Sequence, residues 1–379
     1  MKKLVVLGAG RVGSAIVSDL CYQYNVTVVD IDSDRLDFLE KQYSVHTILA
    51  DISNTGILQK IINDTDLVIG AMPGYLGFET LKNVISSGKN IVDISFFSED
   101  PFGLDTLAKD FNVTAVVDCG IAPGMSNIIL GYHNQRMDIE HFECIVGGLP
   151  VKRSWPYQYK ATFCPLDVIE EYTRPARIVE NGIVVTKLAL SEAEYVEISP
   201  IGTLEAFNTD GLRTLLKTMK IPNMKEKTLR YPGHIEYIQV LRESGFFDKN
   251  SIQINETSIR PIDMTAKLLS AKWMLEKDEP DFTIMQITII GKEQRKNKQY
   301  IYSMIDHFDQ KAKISSMART TGYVCTAVAR LVLNADFTQK GICPPEFIGR
   351  KPECFKKIMS YLKERNVNYI IEEKIVNDI

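Results

Sequence analysis

Short apolar runs alternate with longer, helix-patterned segments along the first third of the chain. The apolar positions within each run are nearly continuous, which is typical of strands in a parallel sheet covered on both faces. The segments between the runs are long enough for crossover helices. Six strands are predicted, at residues 4–9, 26–30, 45–49, 67–71, 90–94 and 113–118. This pattern predicts an α/β domain built on a doubly wound parallel sheet.

The pattern changes after Cys119, where polar and apolar residues alternate with a period of two. Such alternation predicts strands with one buried face, in an antiparallel or mixed sheet. Helical spacing returns from Ser315, and an amphipathic helix and a short strand follow near the C-terminus. Five strands are predicted here, at residues 141–149, 184–190, 194–199, 282–291 and 299–308, the last two forming a hairpin. We therefore predict a first domain over residues 1–120, completed by 315–379, and a second, α+β domain over 121–314 for substrate binding and oligomerisation.

Composition narrows the functional classes. The chain has 379 residues and a formal net charge of −4 with acids and bases interspersed, which argues against a nucleic-acid or membrane partner. No apolar stretch approaches the roughly 20 residues that span a membrane. The apolar run before Gly8 lacks a cleavage site, so we expect no signal peptide. The seven cysteines lack CxxC or CxxH spacing, which predicts reduced thiols, no metal site and a cytoplasmic protein.

A glycine-rich turn follows the first predicted strand. It reads Gly8-Ala-Gly10-Arg-Val-Gly13, it opens a predicted helix, and Asp30 ends the second strand. Together these features form the dinucleotide fingerprint of a Rossmann domain, whose helix N-terminus faces the pyrophosphate. Asp30 can accept hydrogen bonds from the adenosine ribose and would repel a 2′-phosphate, which predicts NAD rather than NADP. The predicted cofactor-binding residues are Gly8, Gly10, Arg11, Val12, Gly13, Asp30, Asp51, Ala71, Met72, Pro73 and Ser95.

Four stretches are too polar and too irregular for a simple core: residues 156–176, 204–215, 228–237 and 318–323. Each is either an ordinary solvated face or part of a site. Asp210 could cap a helix or bind a ligand. His234 follows the Pro-Gly turn of 228–237, and its unperturbed pKa of about 6.5 suits proton transfer near neutrality. Its alternative role is to cap the helix that it begins.

The chain resembles the saccharopine dehydrogenase-like family, most closely its lysine 6-dehydrogenase branch. The segments that carry the resemblance are GAGRVG, VDCGIAPGMSNIILG, GGLP, YKATFCPLDVIEEYTRPA, LEAFNTDGLRTL, MKEKTLRYPGHIEYIQVLRESGFF and RTTGYVCTAVARLVL with GICPPEFIG. Saccharopine-forming enzymes usually carry Asp-His where this chain has Ser126-Asn127. The resemblance implies oxidative deamination of L-lysine at its ε-carbon, with hydride transfer to NAD and release of ammonia. It also implies a homodimer or homotetramer that associates through the second domain.

That reaction assigns roles to the available side chains. The ε-ammonium must lose a proton before hydride leaves the neighbouring carbon, and the candidates for the base are His234 and, less directly, Asp93. Tyr231 can orient the base or donate to the substrate carboxylate. A forked guanidinium suits that carboxylate, and a side-chain carboxylate suits the α-ammonium. The predicted substrate-binding residues are Arg174, Glu205, Asp210, Arg213 and Arg230.

Two alternatives remain open at this point. One is a saccharopine dehydrogenase or a carboxynorspermidine-type dehydrogenase, which acts on a larger secondary amine. The other, from a different class, is an NAD-binding sensor without catalytic activity. An assay with lysine as the only amine distinguishes lysine oxidation from the first alternative. Substitution of His234 and Arg230 tests the second alternative.

Overall fold

The computed structural model describes residues 1–161, 164–276 and 278–377. The first part of the chain contains β1 (Lys3–Leu7), α1 (Arg11–Leu20), β2 (Asn25–Asp30), α2 (Ser33–Tyr43), β3 (His46–Leu49), α3 (Thr55–Ile62), β4 (Leu67–Gly70), α4 (Gly74–Ser86), β5 (Ile91–Asp93), a 3₁₀ turn (Pro101–Leu104), α5 (Asp105–Asp110), β6 (Thr114–Val116), α6 (Met125–His133) and β7 (Asp138–Pro150). The remainder contains α7 (Pro165–Thr173), β8 (Ala176–Glu180), β9 (Ile183–Lys187), β10 (Glu194–Ile198), β11 (Gly202–Asn208), α8 (Leu215–Thr218), β12 (Asn223–Arg230), α9 (His234–Glu243), β13 (Ile252–Ile254), β14 (Thr257–Ile259), α10 (Pro261–Trp273), β15 (Asp281–Glu293), β16 (Lys296–His307), α11 (Ser316–Leu333), β17 (Gly341–Cys343), α12 (Pro345–Gly349), α13 (Pro352–Glu364) and β18 (Ile370–Ile375).

The chain forms two compact units. Unit 1 comprises Met1–Arg136 and Ala318–Asn368, and unit 2 comprises Met137–Met317 with the segment from Tyr369 onward. The predicted boundary at residue 120 lies before α6, whereas unit 1 includes α6. This helix packs closely on α12 of the same unit: a Cβ at Gly131 would lie 2.2 Å from the Glu346 carbonyl oxygen. The segment 315–379, which was predicted to complete the first domain, belongs to both units: Ala318–Asn368 lies in unit 1, and β18 lies in unit 2. Residues 378 and 379 of this segment lie outside the described residues.

Unit 1 contains a seven-stranded parallel sheet in the order β17-β6-β5-β4-β1-β2-β3. All six predicted N-terminal strands are present; β4, β5 and β6 are completely buried, whereas the edge strand β3 is only partly covered, with Leu49 exposed. Gly341–Cys343 adds a seventh strand beside β6. Valine, leucine and isoleucine side chains from the sheet and from α3 and α4 form the core below it. This is the Rossmann architecture that the sequence predicts, with the order of strands reversing beside β1.

Unit 2 contains a nine-stranded mixed sheet. Its main path is β10-β11-β12-β7-β15-β16-β18; off this path, β8 pairs with β12 and β9 pairs with β8. The β12–β7 pair is parallel and the other pairs are antiparallel. The predicted hairpin is β15–β16, with Glu293 opposite Lys296 at its turn. The predicted fold class, a Rossmann domain with a second α+β domain, is confirmed.

Two stretches predicted as irregular polar segments belong to this sheet. Residues 204–208 lie in β11, and residues 228–230 end β12. Among the described residues, none of the helices has the length and apolar character that crossing a bilayer requires.

Candidate active site

The glycine turn after β1 has the close contacts that a dinucleotide site needs. Gly8 has φ of +108°, and a Cβ there would lie 2.4 Å from the carbonyl oxygen of Ala71. A Cβ at Gly13 would lie 2.0 Å from the carbonyl oxygen of Gly8, so this glycine allows α1 to pack against the turn. The space beside Gly10 is open instead, since the nearest atom to its Cβ position is Nη1 of Arg35 at 3.9 Å. The turn therefore leaves room at Gly10 for a pyrophosphate.

The Asp30 carboxylate is oriented by backbone groups on both sides. Oδ2 accepts a hydrogen bond from the Ala9 N–H at 2.6 Å, and Oδ1 accepts one from the Asp32 N–H at 3.0 Å. Each oxygen keeps a second lone pair for a ribose hydroxyl. Arg35 pairs with Asp32 across 3.0 Å, so its positive charge is shared with an acid. These residues fit the adenosine half of a nicotinamide dinucleotide.

The remaining predicted cofactor residues follow the carboxyl ends of neighbouring strands. Ala71, Met72 and Pro73 lie between β4 and α4, and the Ala71 N–H donates to the Leu7 carbonyl. Asp51 lies after β3, where it is exposed and accepts from the Ser53 N–H. Arg11 and Val12 begin α1. All of them lie at the edge of the sheet where ligands bind in this architecture.

Asp93 ends β5 with its carboxylate buried. Its Oδ1 accepts from the Ser95 hydroxyl at 2.9 Å, and its Oδ2 accepts from the Ser95 N–H at 3.1 Å. A Cβ at Gly70 would lie 2.0 Å from Asp93 Oδ1, so β4 carries a glycine where this carboxylate turns toward it. The structure thus places a buried carboxylate and Ser95 beside the strand that leads into Ala71 and Met72.

In unit 2, the Arg230 guanidinium lies in a buried cluster with tyrosines and an acid. Its Nε donates to the Tyr172 hydroxyl at 3.0 Å, and Nη2 donates to Glu171 at 2.6 Å and to the Tyr159 hydroxyl at 3.3 Å. Nη1 donates to the Leu229 carbonyl at 2.9 Å. The guanidinium also stacks on the Tyr159 ring at 4.3 Å from its centroid. Four of the five N–H groups are therefore directed at protein partners.

His234 shares this cluster through Tyr172. Its Nδ1 lies 2.8 Å from the Tyr157 carbonyl oxygen, which can only accept, so Nδ1 carries the proton. Nε2 then accepts from the Tyr172 hydroxyl at 3.0 Å, and that hydroxyl accepts in turn from Arg230. Burial, reinforced by the Arg230 charge, lowers the pKa of His234 to about 3. The imidazole is therefore neutral near pH 7, with both nitrogens hydrogen-bonded.

Tyr231 points away from that cluster. Its hydroxyl donates to the Pro150 carbonyl at 2.9 Å, and the Arg153 guanidinium lies over its ring at 4.1 Å from the centroid. Burial raises the pKa of the Tyr231 hydroxyl, so the phenol stays protonated near neutrality. The two consecutive residues Arg230 and Tyr231 thus contact different parts of unit 2.

The other predicted substrate-binding residues are distributed around β11 and β12. Glu205 lies opposite Arg230 in the sheet, accepts from the Gly233 N–H at 3.3 Å, and has a pKa raised by partial burial. Asp210 accepts two guanidinium bonds from Arg177, each of 2.8 Å. Arg213 is buried with a left-handed backbone, φ 43°. Arg174, at the end of α7, lies 3.4 Å from Glu170.

Sequence reasoning did not single out Tyr172, which connects Arg230 to His234. It is fully buried on α7 beside Ile169 and contacts Trp273 edge to face. The available signal was Tyr172 at helical spacing from Val168 and Ile169 and next to Glu171, because a buried guanidinium elsewhere in the chain requires such partners. No group of three or more histidine, cysteine or acidic side chains in the described part of the chain has the arrangement of a metal site.

Comparison with known proteins agrees with this architecture. The family model "Saccharopine dehydrogenase NADP binding domain" matches residues 4–116, and "Saccharopine dehydrogenase C-terminal domain" matches residues 120–367. The chain belongs to the saccharopine dehydrogenase family. Membership confirms the predicted resemblance at the level of saccharopine dehydrogenase-like oxidoreductases with a domain for NAD or NADP.

Individual relatives are distant. The chain is 24% identical over 280 residues to the mitochondrial alpha-aminoadipic semialdehyde synthase of Rattus norvegicus, matching 69% of this chain but only 30% of that protein. It is 21% identical over 373 residues to a carboxyaminopropylagmatine dehydrogenase of Synechocystis sp., covering 90% of this chain and 92% of the relative. The apo saccharopine dehydrogenase (L-Glu forming) of Saccharomyces cerevisiae has the same fold, with a TM-score of 0.78, 19% identity and full coverage of both chains.

Proposed function

We propose that this member of the saccharopine dehydrogenase family oxidises the ε-carbon of L-lysine with NAD and releases ammonia. The supporting observation is the Ser126-Asn127 pair at the start of α6. Both side chains are completely buried; Asn127 Oδ1 accepts from the Ser126 hydroxyl at 3.1 Å, and Nδ2 donates to Glu346 at 3.0 Å. This turn therefore offers neither the carboxylate nor the imidazole of the saccharopine-forming pattern, which favours a smaller substrate.

The preference for NAD rests on Asp30. Its carboxylate, aligned by the Ala9 and Asp32 amides, would hydrogen-bond a ribose diol and repel a 2′-phosphate. Arg35 lies beside the turn, with Nη1 3.9 Å from the Cβ position of Gly10, and its pairing with Asp32 reduces what it can offer to a phosphate dianion. We propose this selectivity although the matching family model is named for NADP.

The reaction balances as lysine ammonium plus NAD⁺ plus water giving 2-aminoadipate 6-semialdehyde, ammonium, NADH and one proton. The dinucleotide, when bound, supplies the hydride acceptor. The chain must supply a base for the ε-ammonium. We favour Asp93 for this role, since a carboxylate has about four acceptor positions, of which Ser95 occupies two, whereas the single acceptor nitrogen of the neutral His234 already accepts from Tyr172. His234 and Tyr231 then serve as positioning residues.

Recognition of the amino-acid end needs a carboxylate and a cation. We propose Glu205 for the substrate α-ammonium, because partial burial raises its pKa and an ammonium partner would stabilise the ionised form. Arg174 and Arg213 are the proposed partners of the substrate carboxylate. Arg230 has most of its donors directed at Tyr172, Glu171 and neighbouring groups, and Asp210 is paired with Arg177, so we propose structural roles for both.

A second candidate is the oxidation of a larger secondary amine. It is favoured by the match over nearly the whole length of both chains to a relative named carboxyaminopropylagmatine dehydrogenase. A secondary amine would release a second amine instead of ammonia, so the two candidates differ in their products.

The test is a screen of the full chain with NAD or NADP and a panel of primary and secondary amines. The panel contains lysine, ornithine, saccharopine and carboxyaminopropylagmatine, because lysine and ornithine differ by one methylene, worth only about 1–3 kcal/mol of discrimination. We expect NADH formation with lysine alone. Turnover restricted to a secondary amine would replace the first candidate by the second, and binding of dinucleotide without any turnover would contradict both.

A further inference from the structure

We propose that β18 is a self-association surface, through which two copies of this chain join their mixed sheets edge to edge as antiparallel strands. Strand β18 is the last strand on the main path of the unit 2 sheet, and in the described part of the chain it pairs only with β16. All six of its residues are exposed. An open edge of this kind presents unpaired backbone groups that readily accept another strand.

The backbone orientation of β18 follows from one hydrogen bond. The Val376 N–H donates to the Asn297 carbonyl at 3.1 Å, in register with the β16–β18 ladder. Since backbone groups alternate sides along a strand, the even-numbered residues direct their N–H and C=O groups toward β16. Those of Ile371, Glu373 and Ile375 therefore point outward, where a further strand would bind.

The side chains on this edge are unusual for one that stays open. Ile370, Ile371 and Ile375 are 67%, 49% and 68% exposed. Open edges are commonly protected by proline, by bulges or by charged side chains; residues 370–375 of the described ladder contain neither a proline nor a bulge, and their three charges lie between the isoleucines. Three isoleucines within six exposed positions favour a strand that is covered by an apolar partner.

The order of charges selects a second copy as that partner. In an antiparallel pair related by a twofold axis, outward-facing residues must lie opposite outward-facing residues. Glu372 and Lys374 already form an ion pair within one strand across 2.8 Å. A twofold centred at Glu372 would place Ile371 opposite Glu373 and Ile370 opposite Lys374, and one centred at Lys374 would place Glu373 opposite Ile375, so both registers set charges against isoleucines. A twofold centred at Glu373 instead places Glu372 opposite Lys374 of the second copy.

The same register pairs the apolar residues. Ile371 lies opposite Ile375 of the second copy, and Ile370 lies opposite Val376. At the centre, the Glu373 carboxylate faces its symmetry mate, but each is compensated by Lys298 of its own chain across 2.8 Å. All outward N–H groups of both strands then find carbonyl partners. The sequence Ile-Ile-Glu-Glu-Lys-Ile is thus self-complementary in one antiparallel register.

The experiment is sedimentation velocity on the full chain over a range of concentrations, with charge-exchange variants of β18. Glu372→Lys and Lys374→Glu each create two like-charge pairs across the twofold, so each should weaken the dimer roughly tenfold or more. The double exchange E372K/K374E restores both opposite-charge pairs and should recover the wild-type dissociation constant. Glu353→Lys, in the exposed Glu353–Lys356 pair of α13, is the matched control and should leave association unchanged.

A backbone variant tests the strand pairing separately. Ile371→Pro removes an outward N–H while leaving the bonds to β16 in place, as proline permits at an edge. It should abolish the dimer without changing the melting temperature of the monomer at low concentration, and Ile371→Val should retain the dimer. A wild-type chain that stays monomeric, a dimer that tolerates Ile371→Pro, or single charge reversals without effect would each overturn the proposal.

Discussion

The Tyr172 hydroxyl lies 3.0 Å from Nε2 of His234 and 3.0 Å from Nε of Arg230. The direction of each hydrogen bond is determined, because the arginine can only donate and the imidazole proton is held on Nδ1 by the Tyr157 carbonyl. One phenol therefore joins a permanent cation to a neutral histidine in the interior of unit 2. Through these two hydrogen bonds, Tyr172 holds both ends of the segment RYPGH (residues 230–234) in the interior of unit 2.

Removing that hydroxyl should be costly. In Tyr172→Phe, both the Arg230 Nε–H and the His234 lone pair lose their buried partner, so we expect a loss of about 2–4 kcal/mol in the free energy of unfolding. Tyr159→Phe removes only the longer 3.3 Å bond and should cost less. Urea denaturation measures both, with Tyr195→Phe, at an exposed tyrosine, as the control. Equal losses in the Tyr172 and Tyr159 variants would contradict the network.

Stability should depend on pH through His234. Its pKa is about 3 in the folded protein and about 6.5 in the unfolded chain, so only the unfolded chain takes up the proton between these values. The stabilising contribution is fully present above pH 6.5 and falls as the pH drops toward 3, by about 2 kcal/mol at pH 5. Urea denaturation at pH 8 and pH 5 tests this for the wild type and for His234→Gln, which cannot titrate. The difference between the two proteins should shrink at pH 5; a constant difference would contradict the neutral imidazole.

The two glycines of the dinucleotide turn should separate binding from folding. Gly10 has φ −63° and ψ −179° and an open Cβ position, so Gly10→Ala should keep stability within about 0.5 kcal/mol while raising the dissociation constant for NADH more than about tenfold. Gly13→Ala drives a methyl group against the Gly8 carbonyl and should cost about 1–3 kcal/mol of stability. Calorimetric binding and thermal melting measure the two effects. Unchanged NADH affinity in Gly10→Ala would place the pyrophosphate elsewhere.

Coenzyme selectivity should depend on Asp30. Asp30→Ala removes the acceptor for ribose hydroxyls and for the Ala9 N–H, so affinity for NADH should fall roughly tenfold or more. Affinity for NADPH should fall less or rise, because a repulsive charge has gone. Titration of both coenzymes measures this, and Asp34→Ala, at an exposed acid on α2, is the control. Parallel losses for the two coenzymes would show that Asp30 does not discriminate between them.

The Rossmann strands were predictable because each is a nearly continuous apolar run, and the glycine turn was predictable because its spacing is local. Strand β17 escaped prediction because it has only three residues, Gly341–Cys343, and pairs with a strand more than 200 positions away. Strand β12 was not predicted because several of its buried positions carry charged residues in place of apolar ones. Lys227 and Arg230 are buried there through pairing with Glu194 and Glu171.

The site shows the same division. Gly8, Gly13 and Asp30 act through contacts that their motif implies, so the sequence predicts their geometry well. The roles of His234 and Asp210 depend on partners that are distant in the chain, Tyr172 and Arg177, and these pairings follow from the fold. A polar cluster in a sequence therefore indicates where buried polar side chains lie. Whether one of these side chains is available to a substrate depends on its hydrogen-bond partners, which the sequence does not reveal.

The most direct test of the proposed function follows the hydride. L-lysine carrying deuterium at the ε-carbon is incubated with the full chain and NAD as the sole coenzyme, and the products are analysed by mass spectrometry with a parallel assay of ammonia. We expect NADH that carries deuterium, formed in equal amounts with ammonia. NADH formed only from a secondary amine, with release of a second amine and no ammonia from lysine, would contradict it.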